Sequence, residues 1–233
     1  MKTDQLHPFE NIPYFTIEGF RQVSGIETPH TVRVLLHRWS QAGHILALKR
    51  GVYMTRRYYE QHRQDNDFAA AVSAILVPQS YLSLEFVLQE YNLLTEITYP
   101  VTCVTMGNTR TITNPIGVFW YRNLRADLYH GFGISEAMGI RYGRASLAKA
   151  LFDYLYLRPI PARYRAAPFN LADELRLNLD EVDEDARAEF ATQVAASGSQ
   201  KMKAILDNFR STVWQPSLPA SLSTAPRMPR RSP

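Results

Sequence analysis

Five side chains that carry hydrogen-bond donors or positive charge recur at helical spacing near the N-terminus. They are His30, Arg33, His37, Arg38 and Gln41. At about 100° per residue they occupy one side of a helix over residues 29–41, and the opposite side is apolar. The apolar residues are Val32, Leu35, Leu36 and Trp39. Such a polar face suits hydrogen bonding to base edges and phosphates in a DNA major groove. An ordinary amphipathic surface helix has the same pattern, so the helix alone leaves both interpretations open.

Four more cations lie in a predicted β-hairpin and just beyond it. Residues 44–48 and 52–54 are predicted to be two short strands, joined by a turn that contains Lys49 and Arg50. A two-stranded ribbon directly after such a helix predicts a winged helix. Lys49 and Arg50 would then contact the phosphate backbone from the hairpin tip, with Arg56 and Arg57 just beyond.

Helix-boundary signals predict a second, shorter helix before residue 29. Thr16 is a predicted N-cap, and Phe15 and Phe20 have the spacing of a hydrophobic staple around it. Serine and glycine at residues 24–25 end this helix, and threonine and proline at residues 28–29 begin the next. Two short helices joined by a glycine-containing turn predict a helix-turn-helix.

The charge is distributed unevenly along the 233 residues, although the net charge is only +4. Residues 1–63 hold nine lysines and arginines against five acids, whereas residues 64–210 hold fourteen against seventeen. A basic first quarter favours a polyanion-binding domain. We therefore predict a winged-helix DNA-binding domain, an α+β body, a helical C-terminal region and a disordered tail. These segments span residues 1–63, 64–160, 161–210 and 211–233.

The body has helical and extended periodicities that predict an α+β fold built on an antiparallel meander. Strands are predicted at residues 98–106, 109–113, 118–122, 129–132 and 139–142. Gly107 and Asn108 would form the turn of the first hairpin, and residues 114–117 a further turn. Helices are predicted at residues 67–77, 80–93, 145–157, 170–180, 183–196 and 200–209.

Recognisable motifs for catalysis or cofactor binding are missing from the sequence. It has no Walker motif, no GxGxxG turn and no GxSxG nucleophile motif. The single cysteine, Cys103, is expected to be a buried structural thiol and excludes an internal disulfide. Lys149 and Asp153 are four residues apart and predict a modest ion pair within a helix. Because these catalytic and cofactor motifs are missing, we expect no enzymatic activity and no cofactor. The histidines lack metal-binding spacing, so we also expect no bound metal.

The composition is that of a globular protein, with 45% hydrophobic and 21% charged residues. No run approaches the roughly 18–20 apolar residues of a membrane-spanning helix. Residues 1–10 contain charged side chains and lack the apolar stretch of a secretory signal. We therefore expect a soluble, cytoplasmic protein without a membrane partner.

Three stretches, at residues 32–54, 80–96 and 147–157 in this order, together resemble the AbiEi-like antitoxins of bacterial type IV toxin–antitoxin systems. Residues 32–54 are similar to the recognition helix and wing of that family, including its Arg-Gly-Val-Tyr turn. Residues 80–96, "SYLSLEFVLQEYNLLTE", precede a strand rich in valine and threonine and the segment "GVFWYRNL". Residues 147–157, "LAKALFDYLYL", resemble the Lys-Ala-Leu helix of the family. The chain departs from the family pattern at residues 91–92, where His-Gly is expected, and at Ala148, where Glu is expected.

The resemblance implies a transcriptional autorepressor that is also an antitoxin. In that family the winged helix binds inverted repeats of double-stranded DNA in the promoter of its own operon. The body and the C-terminal region counter a nucleotidyltransferase-like toxin, and a stable complex with the toxin is not needed. Two alternatives stay open: a winged-helix regulator whose body binds a small ligand, and an enzyme that a winged helix directs to DNA.

Overall fold

The computed structural model describes residues 4–94, 100–165 and 169–214. Its N-terminal part combines helices with a small sheet. After a 3-10 helix at Asp4–Phe9, the elements are β1 (Phe15–Thr16), α1 (Ile17–Ser24), α2 (Pro29–Gln41), β2 (Ile45–Lys49), β3 (Val52–Thr55) and α3 (Arg56–His62). The three strands form one antiparallel sheet in the order β1-β3-β2.

The predicted boundaries of α1 and α2 are confirmed. Thr16 caps α1, because its hydroxyl accepts a hydrogen bond from a backbone N–H of the first turn at 3.0 Å. Gly25 ends α1 with a left-handed φ of 68°, which glycine adopts without strain. The rings of Phe15 and Phe20 lie 6.1 Å apart across the start of the helix, as the staple spacing predicts. Pro29 is the first residue of α2.

A six-stranded mixed sheet forms the body, so the α+β class is confirmed. Its strands are β4 (Ser80–Leu82), β5 (Val101–Thr105), β6 (Arg110–Asn114), β7 (Gly117–Asn123), β8 (Phe132–Ala137) and β9 (Ile140–Ala145). Their order is β6-β7-β5-β4-β9-β8, with β4–β9 and β5–β7 parallel and the other pairs antiparallel. The helices that contact this sheet are α4 (Phe68–Leu76), α5 (Leu84–Glu90) and α6 (Leu147–Leu157).

The predicted antiparallel meander is wrong in its first half. β5 and β6 do not pair, because β7 lies between them and runs parallel to β5. The connection at residues 106–109 is therefore not a hairpin turn. Asn123 holds it, since the side-chain amide donates to the carbonyls of Met106 and Gly107 at 3.0 and 2.8 Å. The second predicted turn, at residues 114–117, does join the paired strands β6 and β7.

The single helix predicted at residues 80–93 is also wrong. Its first three residues form β4 in the interior of the sheet, and Leu84 at the start of α5 has a left-handed φ of 60°. A strand buried on both faces is continuously apolar and lacks the alternation that marks a half-exposed strand. β4 lies very close to β9, because a Cβ on Gly143 would come within 2.7 Å of the Tyr81 Cβ. Asn92, after the end of α5, has a left-handed conformation with a φ of 58°.

The C-terminal region contains α7 (Leu171–Glu174), α8 (Glu184–Ser197) and α9 (Gln200–Thr212), and both long helices contact α6. The helix predicted at residues 170–180 is largely absent, because Arg176 has a φ of 54° and only a 3-10 turn follows at Leu179–Glu181. α9 continues through Thr212, two residues into the segment predicted as a tail. Residues 215–233 of that predicted tail, and the start of the strand predicted at 98–106, lie outside the described residues.

The β2–β3 hairpin is shared by two hydrophobic clusters. Ile45 belongs to the N-terminal cluster, which also contains the buried side of α2. Leu48 and Met54 belong to the larger cluster of the six-stranded sheet. Full burial of an aliphatic side chain contributes roughly 1.5–3 kcal/mol, so the hairpin binds the two parts of the chain together.

Cys103 lies in the middle of β5 and is fully buried, which confirms the prediction of a buried thiol. Burial raises the pKa of the thiol to about 12. The thiol is therefore protonated near neutral pH and is not activated as a nucleophile.

An ion pair is buried between α6 and the sheet. Lys149 Nζ lies 2.8 Å from Asp153 Oδ1, and both side chains are 0% exposed. Lys149 also donates to the carbonyl of Leu128 at 2.8 Å, and Asp153 Oδ2 accepts from the hydroxyls of Tyr81 and Ser83 at 2.9 and 2.8 Å. Burial raises the pKa of Asp153, and Lys149 opposes that rise. The spacing of the two residues predicts the pair, whereas its burial is a finding of the structure.

We expect Asp153→Asn to lower the free energy of unfolding by about 3–5 kcal/mol, because the Lys149 ammonium is then buried without a counter-charge. The double variant Lys149→Met with Asp153→Asn should be more stable than Asp153→Asn alone, since no charge is left inside. Glu60→Gln is the matched control, because it breaks an exposed pair with Arg56 at the same i,i+4 spacing. Its effect should stay below about 1 kcal/mol. Urea unfolding measures all three, and equal effects of Asp153→Asn and Glu60→Gln would contradict this account.

Candidate nucleic-acid interface

An aromatic cluster fixes the orientation of α2. Trp39 and Phe20 are both 0% exposed and meet edge to face, with ring centroids 5.5 Å apart. Phe20 also contacts Phe9 and Phe15, at centroid distances of 5.6 and 6.1 Å. Edge-to-face aromatic pairs add stability beyond the area that they bury. The buried residues of α2 are Val32, Leu36 and Trp39.

The opposite side of α2 carries the five polar side chains predicted for it. All of them are exposed: His30, Arg33, His37, Arg38 and Gln41. Within the described residues, none of the five forms an ion pair or a side-chain hydrogen bond. By contrast, Arg21 on α1 pairs with Glu18 at 2.7 Å. α2 contains no acidic residue. This face therefore presents cations and donors without a carboxylate that would compete with a bound anion for them.

Lys49 does not point to solvent at the hairpin tip, which corrects the predicted phosphate contact. Its ammonium donates to the carbonyls of Ile75 and Leu76, both at 2.8 Å. These carbonyls lie in the last turn of α4, where backbone acceptors lack partners within the helix and carry partial negative charge. Burial and the nearby Arg110 lower the pKa of Lys49. Lys49 therefore joins the hairpin to the body.

Arg50 is the outward cation of the turn. It is exposed and, among the described residues, it forms no ion pair. The turn itself is held on two sides. The Gly51 carbonyl accepts from the backbone N–H of Ile17 at 3.1 Å, and the Asn114 side chain donates to the Leu48 carbonyl at 3.1 Å. The position of Arg50 is consequently fixed by contacts to α1 and to β6.

Arg56 and Arg57 lie at the opposite end of the hairpin from the turn, not beside it. The backbone N–H of Arg56 donates to the carbonyl of His44 at 2.8 Å, just before β2 begins. The guanidinium group of Arg56 pairs with Glu60 at 3.0 Å, and that of Arg57 pairs with Glu10 at 2.8 Å. The prediction considered only separation along the chain. β3 runs from the turn to the other end of the hairpin, so the residues that follow it lie at that end.

His44 adjoins these two arginines and is absent from the predicted site residues. It is exposed and borders a shallow depression of about 210 Å³ together with Glu10, Arg56 and Arg57. The strand register could have identified it, because Ile45 pairs with Thr55 and so places residue 44 beside residue 56.

A metal-binding group of three or more His, Cys, Asp or Glu side chains is not found among the described residues. None of the helices in the described ranges has both the length and the apolarity needed to cross a bilayer. Comparison of the chain with protein-family models and with curated proteins finds no match.

We expect Lys49→Met to lower the free energy of unfolding by about 1–2 kcal/mol, because two carbonyls at the end of α4 lose a charged donor at a partly exposed position. Arg50→Met, at the next residue, is the control and should change stability by less than about 0.5 kcal/mol. Urea unfolding of both variants measures the difference. Indistinguishable midpoints for the two variants would contradict the docking role of Lys49.

Proposed function

We propose that the protein binds double-stranded DNA with α2 in the major groove. The observation that carries the proposal is the outward side of α2, which is exposed, unpaired within the described residues and free of acids. Arginine pairs bidentately with guanine and glutamine with adenine, so Arg33, Arg38 and Gln41 have the chemistry of direct base readout. His30 and His37 add donors or acceptors on the same face.

We interpret α1, α2 and the three-stranded sheet as a winged helix-turn-helix. The two helices are joined by the short Gly25 turn, and the hairpin follows α2 directly. In this arrangement Arg50 contacts a phosphate beside the groove that α2 occupies. Arg56 and Arg57 flank the other end of the hairpin, where a phosphate would compete with the carboxylates they now contact. Lys49 is not assigned to DNA.

Arg33→Ala and Arg50→Ala should weaken DNA binding in different ways. Loss of Arg33 should flatten the preference among sequences, because a bidentate arginine–guanine contact contributes about 1–3 kcal/mol of discrimination. Loss of Arg50 should weaken binding to all duplexes alike and reduce the slope of log affinity against log salt by about one unit. Fluorescence anisotropy measures both effects, with the DNA upstream of the gene and a scrambled duplex as probes.

Arg141→Ala is the matched control, because Arg141 is an exposed arginine on β9 of the body. The DNA affinity of this variant, and its slope of log affinity against log salt, should equal those of the unaltered protein. If Arg33→Ala and Arg50→Ala behaved like this control, the assignment of α2 and the hairpin to DNA would be wrong.

We further propose, on the resemblance to AbiEi-like antitoxins, that the DNA is the promoter of the protein's own operon. Inverted repeats match two copies of the protein related by a two-fold axis, with one α2 in each half-site. The proposal therefore includes repression of that promoter. The same resemblance supports antitoxin activity of the body and the C-terminal region against a nucleotidyltransferase-like toxin.

The full-length protein should restore growth when it is co-expressed with a nucleotidyltransferase-like protein encoded by the adjacent gene. Both genes should be under unrelated promoters, so that repression plays no part. Arg33→Ala should rescue equally well, because neutralisation is assigned to the body. Colony counts after induction measure rescue. Failure of the unaltered protein would contradict the antitoxin role, and failure of Arg33→Ala alone would contradict the division between α2 and the body.

A second candidate function is regulation of other genes in response to a small ligand. A cleft of about 320 Å³ in the body favours this candidate. The hairpin is joined to the body through Lys49 and Asn114, so a ligand-induced change in the body has a physical route to the DNA-binding part. A nucleotidyltransferase-like gene next to this one favours the antitoxin, and its absence favours the ligand-responsive regulator.

A further inference from the structure

The cleft is lined by the start of α5, the end of α6 and two strands of the six-stranded sheet. Thr102 of β5 and Trp120 of β7 contribute to it from the sheet, and Tyr154 and Arg158 from the end of α6. Its volume of about 320 Å³ is at the lower end of the roughly 300–1,000 Å³ typical of small-molecule sites. The cleft therefore suits one compact ligand.

Trp120 gives the cleft an exposed aromatic surface. It is 43% exposed, whereas Trp39 and Trp214 are 0% and 8% exposed. Alternation along β7 buries Phe119 and Tyr121 in the core and turns Trp120 outward. An exposed indole in a concave site is a stacking surface for a planar aromatic group.

Two arginines border the same cleft. Arg122 follows Trp120 by two residues, so it lies on the same side of β7. It is exposed and forms no ion pair among the described residues. Arg158 is held in place, because its guanidinium lies 5.3 Å from the centroid of the Tyr154 ring and donates to the Tyr154 hydroxyl at 2.8 Å. A held guanidinium keeps further N–H donors for a phosphate.

Glu85 is the acidic residue among those that line the cleft, and the backbone before it is held in an unusual conformation. Leu84 has a φ of 60°, which a residue with a side chain adopts only where its surroundings enforce it. Thr102 supplies that enforcement. Its hydroxyl donates to the Ser83 carbonyl at 2.8 Å and accepts from the Phe86 N–H at 3.0 Å. The start of α5, and Glu85 with it, is therefore fixed at the cleft.

An ionised carboxylate accepts hydrogen bonds and donates none, so Glu85 opposes a bare anion and favours a ligand that also carries N–H donors. The arginines favour a phosphate, and Trp120 favours a planar ring. A nucleotide combines these three properties in one molecule.

We propose that the cleft binds a nucleotide, with the base stacked on Trp120, N–H groups of the base facing Glu85, and the phosphate on Arg122 and Arg158. A free nucleoside phosphate and a nucleotide within a single-stranded nucleic acid present the same base and phosphate. Duplex DNA does not, because its bases are stacked inside the helix. The site is thus separate from α2. Its ligand goes beyond the proposed function, because neither DNA binding nor toxin neutralisation requires a nucleotide in this cleft.

Tryptophan fluorescence of the full-length protein tests the proposal, because Trp120 is the exposed tryptophan of the three. GMP should quench the emission on binding. Guanosine and inorganic phosphate should each bind at least about tenfold more weakly than GMP, since each makes only part of the contacts. A four-nucleotide single-stranded RNA separates the two sources. Tighter binding of the RNA identifies a single strand as the ligand, and tighter binding of GMP identifies a free nucleotide.

Calorimetry with variants locates the site. Arg122→Ala should weaken binding of the preferred ligand by about tenfold to a hundredfold, the range for losing a charge-assisted hydrogen bond. Trp120→Ala should weaken it at least as much, and Arg141→Ala should have no effect. Duplex binding by Trp120→Ala should be unchanged, which shows that this variant is folded. Absence of binding to GMP and to the RNA at millimolar concentration, or equal affinity of Arg122→Ala and the unaltered protein, would overturn the proposal.

Discussion

The β2–β3 hairpin is buried on both of its faces, and the placement of α2 depends on this. Ile45 and Tyr53 contact the aromatic cluster beneath α2, whereas Leu48 and Met54 contact the core of the six-stranded sheet. Protein interiors are close-packed, so a displaced hairpin would open a cavity in one core or the other. Lys49 and Asn114 add polar contacts at the tip. The outward side of α2 therefore has one orientation relative to the body.

Three of the lysines have structural roles in this molecule. Lys49 and Lys201 each donate to backbone carbonyls at the end of a helix, α4 and α6 respectively, and Lys149 is buried with Asp153. These ammonium groups stabilise the fold and are not offered to a ligand. The arginines of α2 and of the hairpin turn are exposed instead. The positive charge of the first 63 residues is thus partly structural, and a count of basic residues overstates the charge that faces solvent.

Local signals in the sequence predicted local structure well. The cap at Thr16, the staple and the left-handed Gly25 depend on residues within one helical turn, and all three are found. The sequence does not distinguish β4 from a helix, because an interior strand has no alternation to reveal it. The parallel pairing of β5 with β7 was missed because it depends on contacts between strands that a turn signal does not report.

The candidate site shows the same division between local and distant contacts. The outward face of α2 follows from helical periodicity, and its exposure agrees with the prediction. The position of Lys49 depends on carbonyls 26 and 27 residues away, which no local pattern indicates. Proximity along the chain predicts Arg56 and Arg57 beside the turn, whereas the hairpin register locates them at its other end. Trp120 and Arg122 alternate with buried residues, but their shared cleft needs α5 and α6 in place.

Cys103 has a practical consequence. It is the only cysteine of the chain, and its thiol is buried and has a raised pKa. Maleimides and similar reagents attack thiolates, so they should leave the native side chain untouched at neutral pH. A cysteine placed on α2 or at the rim of the cleft would therefore accept a dye or a spin label selectively, and the native residue need not be replaced first.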